Sequence, residues 1–317
     1  MSLIEQAAKR LEQLRQAGVE LPDDPDIEIR HAPPASGKPL AAEPTAATEP
    51  AIRSMDKPAV ADMLPPARQQ TTHSKHVELD LDAIAASGIV SPHAPRSQIS
   101  DEYRVIKRPL IDNAMGKGAY PVENGNLIMI TSALPGEGKS FTAINLAMSI
   151  ATELDNTVML VDADVARPSV LSKLGLPPAP GFLDVLLDPS VDLPSVLLKT
   201  NVNKLTILPS GQQHSRATEL LASDAMNRLL VDMAKRYSDR IIIFDSPPLL
   251  MTTESRTLAT HMGQIVMVVE AGRTLHGEVK QALATIEACP VKLMVLNRTN
   301  HAASGGYGYG YGYGYAA

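Results

Sequence analysis

Residues 133–140 read Ala-Leu-Pro-Gly-Glu-Gly-Lys-Ser, which departs from the phosphate-binding P-loop pattern only in carrying Ala133 where the first Gly usually stands. Each residue type answers a chemical demand. Without side chains at Gly136 and Gly138, backbone N–H groups can converge on phosphate oxygens. A helix opening near Lys139 would add the positive end of its dipole. Lys139 is long enough to reach the β- and γ-phosphates, and the Ser140 hydroxyl is a ligand type suited to Mg²⁺. Glu137 between the glycines and Phe141 after Ser140 complete the candidate ATP-binding set.

Acids end two further apolar runs. VMLVDADVARP carries Asp162 and Asp164, and IIIFDSPP carries Asp245 after four apolar residues, the form of a Walker B strand. In a parallel sheet, C-terminal strand ends gather at one edge, where ligands bind. Asp245 is placed to hold Mg²⁺, directly or through water, while Asp162 and Asp164 could serve the metal or take a proton from an attacking hydroxyl. Either acidic run alone reads equally well as a strand-ending turn. The P-loop and the two acidic runs together, in this order, fit that bland reading poorly.

The elements that must position these groups are legible in the apolar pattern. LIMITSA (127–133) reads as a buried strand entering a Gly-rich turn, and 139–154 as a helix with apolar residues three and four apart. Strands are expected at 157–164, 204–211, 240–248, 264–272 and 291–298, with helical stretches around 217–236, 254–261 and 274–288. Strands this apolar are covered on both faces, and their alternation with helices implies parallel crossovers. The fold class is α/β: a doubly wound, mostly parallel sheet of the P-loop NTPase type.

Upstream the texture differs. Of 25 prolines, 12 precede Arg96 in an Ala-rich, polar stretch without core-building periodicity, so 1–97 is expected to be largely disordered. Within it, residues 1–18 space Ile4, Ala7, Leu11 and Leu14 as a short amphipathic helix, and 76–90 reads as local helix. DEYRVIKRPLIDNAM, opening at Ser100–Glu102, is a further amphipathic run that Pro109 should kink or limit. One domain spanning 98–301 follows, with a tail over 302–317.

Tyr307, Tyr309, Tyr311, Tyr313 and Tyr315 alternate with glycines in that tail, so five of the eight tyrosines lie in the last eleven residues and cannot be core aromatics. Extended, the alternation puts all five hydroxyls on one side. The net charge of -6 argues against a nucleic-acid partner. No apolar run nears the roughly 18 residues of a membrane span, and the N-terminus lacks a secretory h-region, so the chain reads as cytoplasmic. Cys289, the single cysteine, excludes an internal disulfide and reads as a core residue.

Taken together, the strand–P-loop–helix, the VDAD strand, the IIIFDSPP strand and the Tyr-rich tail resemble the bacterial tyrosine kinases (BY-kinases) of capsule and exopolysaccharide export, over roughly Ser100 to the C-terminus. DEYRVIKRPL and DVARP resemble the exosortase-associated subgroup. The resemblance implies an ATP- and Mg²⁺-dependent autokinase whose phosphoacceptors are the five tail tyrosines, modified in trans within a ring-shaped homo-oligomer. It implies that Asp164 activates the tyrosine hydroxyl, that Asp162 and Asp245 serve Mg²⁺, and that Lys139 holds phosphate. The family's Glu-x-x-Arg-x-x-Arg assembly element would fall on Asp101, Arg104 and Lys107, with the charges kept but the bidentate geometry lost at Lys107. Where the family carries Arg directly after its acidic segment, this chain has Ala166 followed by Arg167. The implied partners are a membrane polysaccharide co-polymerase supplying an activating cytoplasmic tail, which would hold the chain peripherally at the inner membrane, and a tyrosine phosphatase.

Two alternatives share the sheet. Partitioning-type P-loop ATPases carry an early P-loop lysine, absent from Ala133-Leu134-Pro135, and lack a tyrosine tail. A nucleotide-binding scaffold of the export machinery would keep the P-loop and lose turnover, which the intact Asp162, Asp164 and Asp245 disfavour.

Overall fold

The computed structural model describes residues 74–92 and 97–299. The expected helix at 1–18 and all five tail tyrosines lie outside the described residues.

Strand β1 (Lys75–Val77) and helix α1 (Leu81–Ala86) precede the long α2 (Gln98–Ala114). Then come β2 (Leu127–Ser132), α3 (Lys139–Ala151), β3 (Thr157–Asp162), α4 (Val170–Lys173), α5 (Phe182–Leu187) and α6 (Leu193–Val196). The chain continues through β4 (Leu198–Thr200), β5 (Leu205–Leu208), α7 (Ala217–Leu221), α8 (Asp224–Arg236), β6 (Arg240–Asp245), α9 (Thr253–Ala259), β7 (Gln264–Glu270), α10 (His276–Ala284) and β8 (Val291–Asn297). The strands form one sheet in the order β1-β4-β5-β3-β6-β2-β7-β8. From β5 to β8 every neighbouring pair is parallel, and only the β4–β5 pairing is antiparallel. All six strands expected from the sequence are present.

Alternation within the central strands divides their side chains between two cores. Met129, Met159, Val161, Phe244 and Met267 face one layer, packed with Phe182, Met226, Leu230 and Leu258. Ile128, Ile130, Leu160, Ile243 and Val268 face the other, packed with α3. Both faces are therefore covered, which is why these strands read as continuous apolar runs. In α3, every residue from Thr142 to Ala151 is buried, so this helix is apolar nearly all round.

Two expectations are corrected. Residues in the stretch assigned to the disordered arm belong to the packed unit: Leu79, Ile84, Ile89 and Val90 are buried in the α3-side core. Val90 donates its N–H to Asn145 Oδ1 of α3 at 2.7 Å, and Leu79 exchanges two hydrogen bonds with the Asn201 side chain. Two asparagines far along the chain thus fasten the segment. Pro109, in turn, does not end its helix, because α2 runs from Gln98 to Ala114 with Pro109 inside it. A mid-helix proline removes one N–H donor and crowds the carbonyl four residues back, and burial of Tyr103, Leu110 and Ile111 along one side of the helix offsets that cost.

Candidate functional site

The sheet order places the P-loop at a topological switch. β2 sits between β6 and β7; from β2 the chain crosses to β3 on one side, while β7 and β8 lie on the other. In such folds the crevice beyond the strand C-termini binds ligands. β2 ends at Ser132, and α3 starts at Lys139, so the loop between them faces this crevice.

Gly136 and Gly138 hold φ of 88° and 98°, in the left-handed region that side chains disfavour. Gly138 is constrained a second time: a Cβ there would stand 2.0 Å from Asn297 Nδ2. Asn297, the last residue of β8, donates to the Glu137 carbonyl at 2.9 Å and so pins the loop from the far strand. The Glu137 side chain is turned inward, 1% exposed. Its carboxylate accepts from the Leu134 N–H at 2.6 Å and from the Thr274 hydroxyl. The Glu137 side chain thus braces the loop, and the part of this residue left for a phosphate is its backbone N–H.

The crevice is a cavity of about 790 Å³ lined by Gly136, Gly138, Lys139, Ser140, Phe141 and Asp164, among others. Lys139 Nζ pairs with Asp164 Oδ2 at 3.0 Å across it. Arg167 also lines it, as does Ala166. Sequence reasoning missed Lys173, Pro247, Met251, Asn297 and Arg298 on the same walls. The Asn-Arg pair ending the apolar run of β8 was a usable signal for the last two.

Asp162 and Asp245 are direct neighbours in the β3–β6 register. Asp162 Oδ2 accepts from the Ser169 and Val170 N–H groups at 3.0 Å each, leaving Oδ1 buried and unpartnered. Asp245 is fully buried and neither of its oxygens makes a hydrogen bond. Burial pushes Asp162 up to about 6, against the two backbone N–H groups, and Asp245 up to about 7, against the nearby Lys139 ammonium and Ser140 hydroxyl. Three orphaned carboxylate oxygens beside a serine hydroxyl fit a divalent cation, which would supply the missing partners. Among the described residues no three His, Cys, Asp or Glu side chains form a cage of protein ligands alone. Mg²⁺ takes one or two carboxylates and completes its shell with water and phosphate.

Asp101 and Arg104 form an exposed ion pair on α2. Lys107 does not share their face: 2% exposed, it pairs with Glu153 Oε1 at 2.6 Å and donates to the Ser149 carbonyl. The expected assembly triad therefore has two exposed members and one buried inside the protomer. Cys289 is buried, its thiol pushed up by burial.

A parallel sheet with a glycine-built phosphate loop at its switch point and acids at the neighbouring strand ends defines a P-loop nucleotide-binding α/β protein. A family model described as an AAA domain matches residues 125–296. The tyrosine-protein kinase YwqD of Bacillus subtilis is 31% identical over 210 residues, covering 65% of this chain and 83% of that one. The succinoglycan biosynthesis transport protein ExoP of Rhizobium meliloti is 31% identical over 219 residues, 68% of this chain but 27% of its own length. Among solved structures, the kinase domain of VpsO superposes with a TM-score of 0.56 at 27% identity, covering 64% of this chain and 95% of that one. The chain belongs to the bacterial tyrosine-protein kinase family. No helix among the described residues is long and apolar enough to cross a membrane.

Proposed function

We propose that this chain is an ATP- and Mg²⁺-dependent protein-tyrosine autokinase that phosphorylates Tyr307, Tyr309, Tyr311, Tyr313 and Tyr315, in trans within a homo-oligomer. The observation that carries the reading is the adjacent buried pair Asp162–Asp245, with three unpartnered oxygens beside the P-loop. A loop that merely turned the chain would not need acids desolvated at such cost. Ser140, Asp162 and Asp245 are the residues that would hold Mg²⁺, which when bound neutralises phosphate charge. The N–H groups around Gly136 and Gly138 cradle the phosphates. Lys139 exchanges Asp164 for phosphate oxygen, which frees the Asp164 carboxylate to accept a proton. The phenolic oxygen then bonds to the γ-phosphorus, the bond from that phosphorus to the β–γ bridging oxygen breaks, ADP leaves, and the phenolic proton passes to Asp164.

The wider setting rests on the relatives' names. YwqD is named a tyrosine-protein kinase and ExoP a biosynthesis transport protein. On that basis this chain serves exopolysaccharide polymerisation and export, and the resemblance of DEYRVIKRPL and DVARP is what supports an exosortase-associated member of the family. The resemblance stated from the sequence supplies the rest of the reading: a membrane co-polymerase whose cytoplasmic tail activates the chain, a tyrosine phosphatase, and a place at the cytoplasmic side of the inner membrane.

Intact-mass spectrometry after incubation with Mg-ATP tests the reading. Wild type should gain several phosphates, Lys139→Met none, and a chain ending at Ser304 few. A wild type that binds ATP yet gains no phosphate, even with the co-polymerase tail present, would replace the kinase with a nucleotide-binding scaffold.

A further inference from the structure

Lys139, Arg167, Lys173 and Arg298 are the cations on the walls of the nucleotide cavity, and two of them are already held by carboxylates. Lys139 pairs with Asp164, and Arg298 Nη1 donates to Glu270 Oε1 at 2.8 Å. Glu270 and Arg298 lie outside the phosphate loop and the two acidic runs. They meet because β7 and β8 are paired in register, which sets Glu270 opposite Asn297, the residue before Arg298.

Glu270 is fixed to the P-loop from behind. Its N–H donates to the Thr274 hydroxyl at 3.2 Å, and that hydroxyl donates to the Glu137 carboxylate. The Glu270 side chain is 11% exposed and holds a second guanidinium, since Arg273 Nη1 donates to Oε2 at 3.0 Å. Arg273 lies against the phosphate loop: a Cβ on Gly136 would come within 3.5 Å of the same Nη1. The hydrogen bond from Arg298 is the main cause that holds the Glu270 carboxyl below its usual value, so it is ionised at neutral pH.

Arg298 is held less firmly. It follows the last residue of β8 with φ of 58°, a left-handed backbone that residues with a Cβ disfavour. Its N–H donates to Asn297 Oδ1 at 2.9 Å, and Asn297 Nδ2 donates to the Glu137 carbonyl, so its backbone too is tied to the P-loop. Its side chain is 55% exposed and has room to turn. Should Arg298 leave, Arg273 still neutralises Glu270, and no shielded carboxylate is left without a cation. A guanidinium matches phosphate oxygens with two parallel hydrogen bonds, against the single one Glu270 gives it here.

We infer that Glu270 is a positioning residue for nucleotide binding, which holds Arg298 by its carboxylate and yields it to a phosphate oxygen of an entering nucleotide. The inference rests on the nucleotide reading of the first cavity and on no phosphate transfer. It parallels the exchange of Asp164 for phosphate at Lys139 and adds a second carboxylate that the nucleotide must displace. Nucleotide therefore binds more weakly than the cations of the cavity alone would allow, and the return of Arg298 to Glu270 assists release.

Isothermal titration calorimetry on the full-length chain with Mg²⁺ tests this, with a non-hydrolysable ATP analogue, ADP and, by competition, adenosine. Glu270→Gln loosens the hold on Arg298 and should tighten the ATP analogue and ADP at least threefold, with adenosine unchanged. Glu270→Asp keeps the charge but withdraws the carboxylate by one methylene, and should tighten both nucleotides in the same direction. Arg298→Ala should weaken both at least threefold, and adding Glu270→Gln to it should then change nothing. A general loss of negative charge would instead tighten binding equally with and without Arg298. Such equal gains, adenosine shifting in step with ADP, or no tightening in whichever Glu270 variant folds would each overturn the inference. A wild type that binds neither nucleotide would overturn the nucleotide reading and this one together, whereas failure of the variants alone leaves that reading standing.

Discussion

Asp245 is costly to bury. Folding removes its carboxylate from water, gives it no hydrogen bond and sets it beside Asp162. A buried charge without partners costs several kcal/mol unless it takes up a proton or a cation. Asp245→Asn keeps the shape and removes that penalty. The nucleotide-free variant is therefore expected to be more stable than wild type by roughly 1–2 kcal/mol, the usual trade of stability for function at a site of this kind. With Mg-ATP present the order should reverse, because wild type gains binding free energy that the variant has lost. Thermal melts of both proteins with and without Mg-ATP would read this out, and an apo variant less stable than wild type would mean that Asp245 is structural. The sequence showed this acid plainly, since four apolar residues run straight into it. It did not show Asn297, which pins Glu137 across 160 positions of chain, or that Glu137 turns inward to Leu134 and Thr274. Both depend on which strands lie side by side, and no local pattern encodes that.

At the scale of elements, the P-loop helix α3 is held at its C-terminal end by α2. Lys107 donates to the Ser149 carbonyl, one of the last four of α3, at 2.6 Å and pairs with Glu153 at 2.6 Å; Arg108 reaches Glu153 at 3.2 Å. A cation at a helix C-terminus is favourable for the dipole, and Lys107 shares the Ser149 carbonyl with the Thr152 hydroxyl. Lys107→Ala leaves Glu153 with Arg108 alone and opens the seam between two helices, so a loss of about 2–3 kcal/mol in denaturant melts is expected. The two partners are shifted in ways that oppose each other energetically. Burial raises the Glu153 carboxyl, but the hydrogen bond and charge of Lys107, with Arg108, bring it below its usual value. Burial also pulls Lys107 down, and the pair with Glu153 offsets only part of that. Acid isolates the Glu153 side, since Lys107 stays protonated there in both folded and unfolded chains. With its folded value below the unfolded one, Glu153 contributes fully above about pH 4.5 and loses that contribution as pH falls through the folded value. The stability gap between wild type and Glu153→Gln should therefore shrink from pH 6 to pH 3; a gap that stays constant would show that the ion pair is not its source. This docking was hidden in the sequence, where Asp101, Arg104 and Lys107 read as one charged face. The burial of Lys107 comes from the packing of α2 on α3, which a pattern of charges cannot reveal. The six long strands were legible because each is an apolar run bounded by turns. β1 and β4, of three residues each, were too short to show any period.

For the whole molecule, the consequence of the proposed chemistry is electrostatic. Each phosphotyrosine brings about -1.5 to -2 charges, so complete modification of the five tail tyrosines would add roughly -8 to -10 to a chain whose formal charge is already -6. If subunits are held together by tails seated in their neighbours, this charge acts at the contact itself. Like charge at the contact should expel the tails and loosen the oligomer. The exposed Asp101–Arg104 pair on α2 is then the remaining candidate contact between copies, and a weak one, since an exposed ion pair contributes only about 0–1 kcal/mol and is screened by salt. Assembly should therefore be governed by the phosphorylation state of the tails, with a phosphatase required to restart the cycle. Sedimentation velocity of the unmodified and fully phosphorylated chain at equal concentration measures this directly. A shift to smaller species on phosphorylation, reduced at high salt as screening weakens the repulsion, is the expected result. Identical sedimentation of the two forms would remove tail charge as the device that takes the oligomer apart.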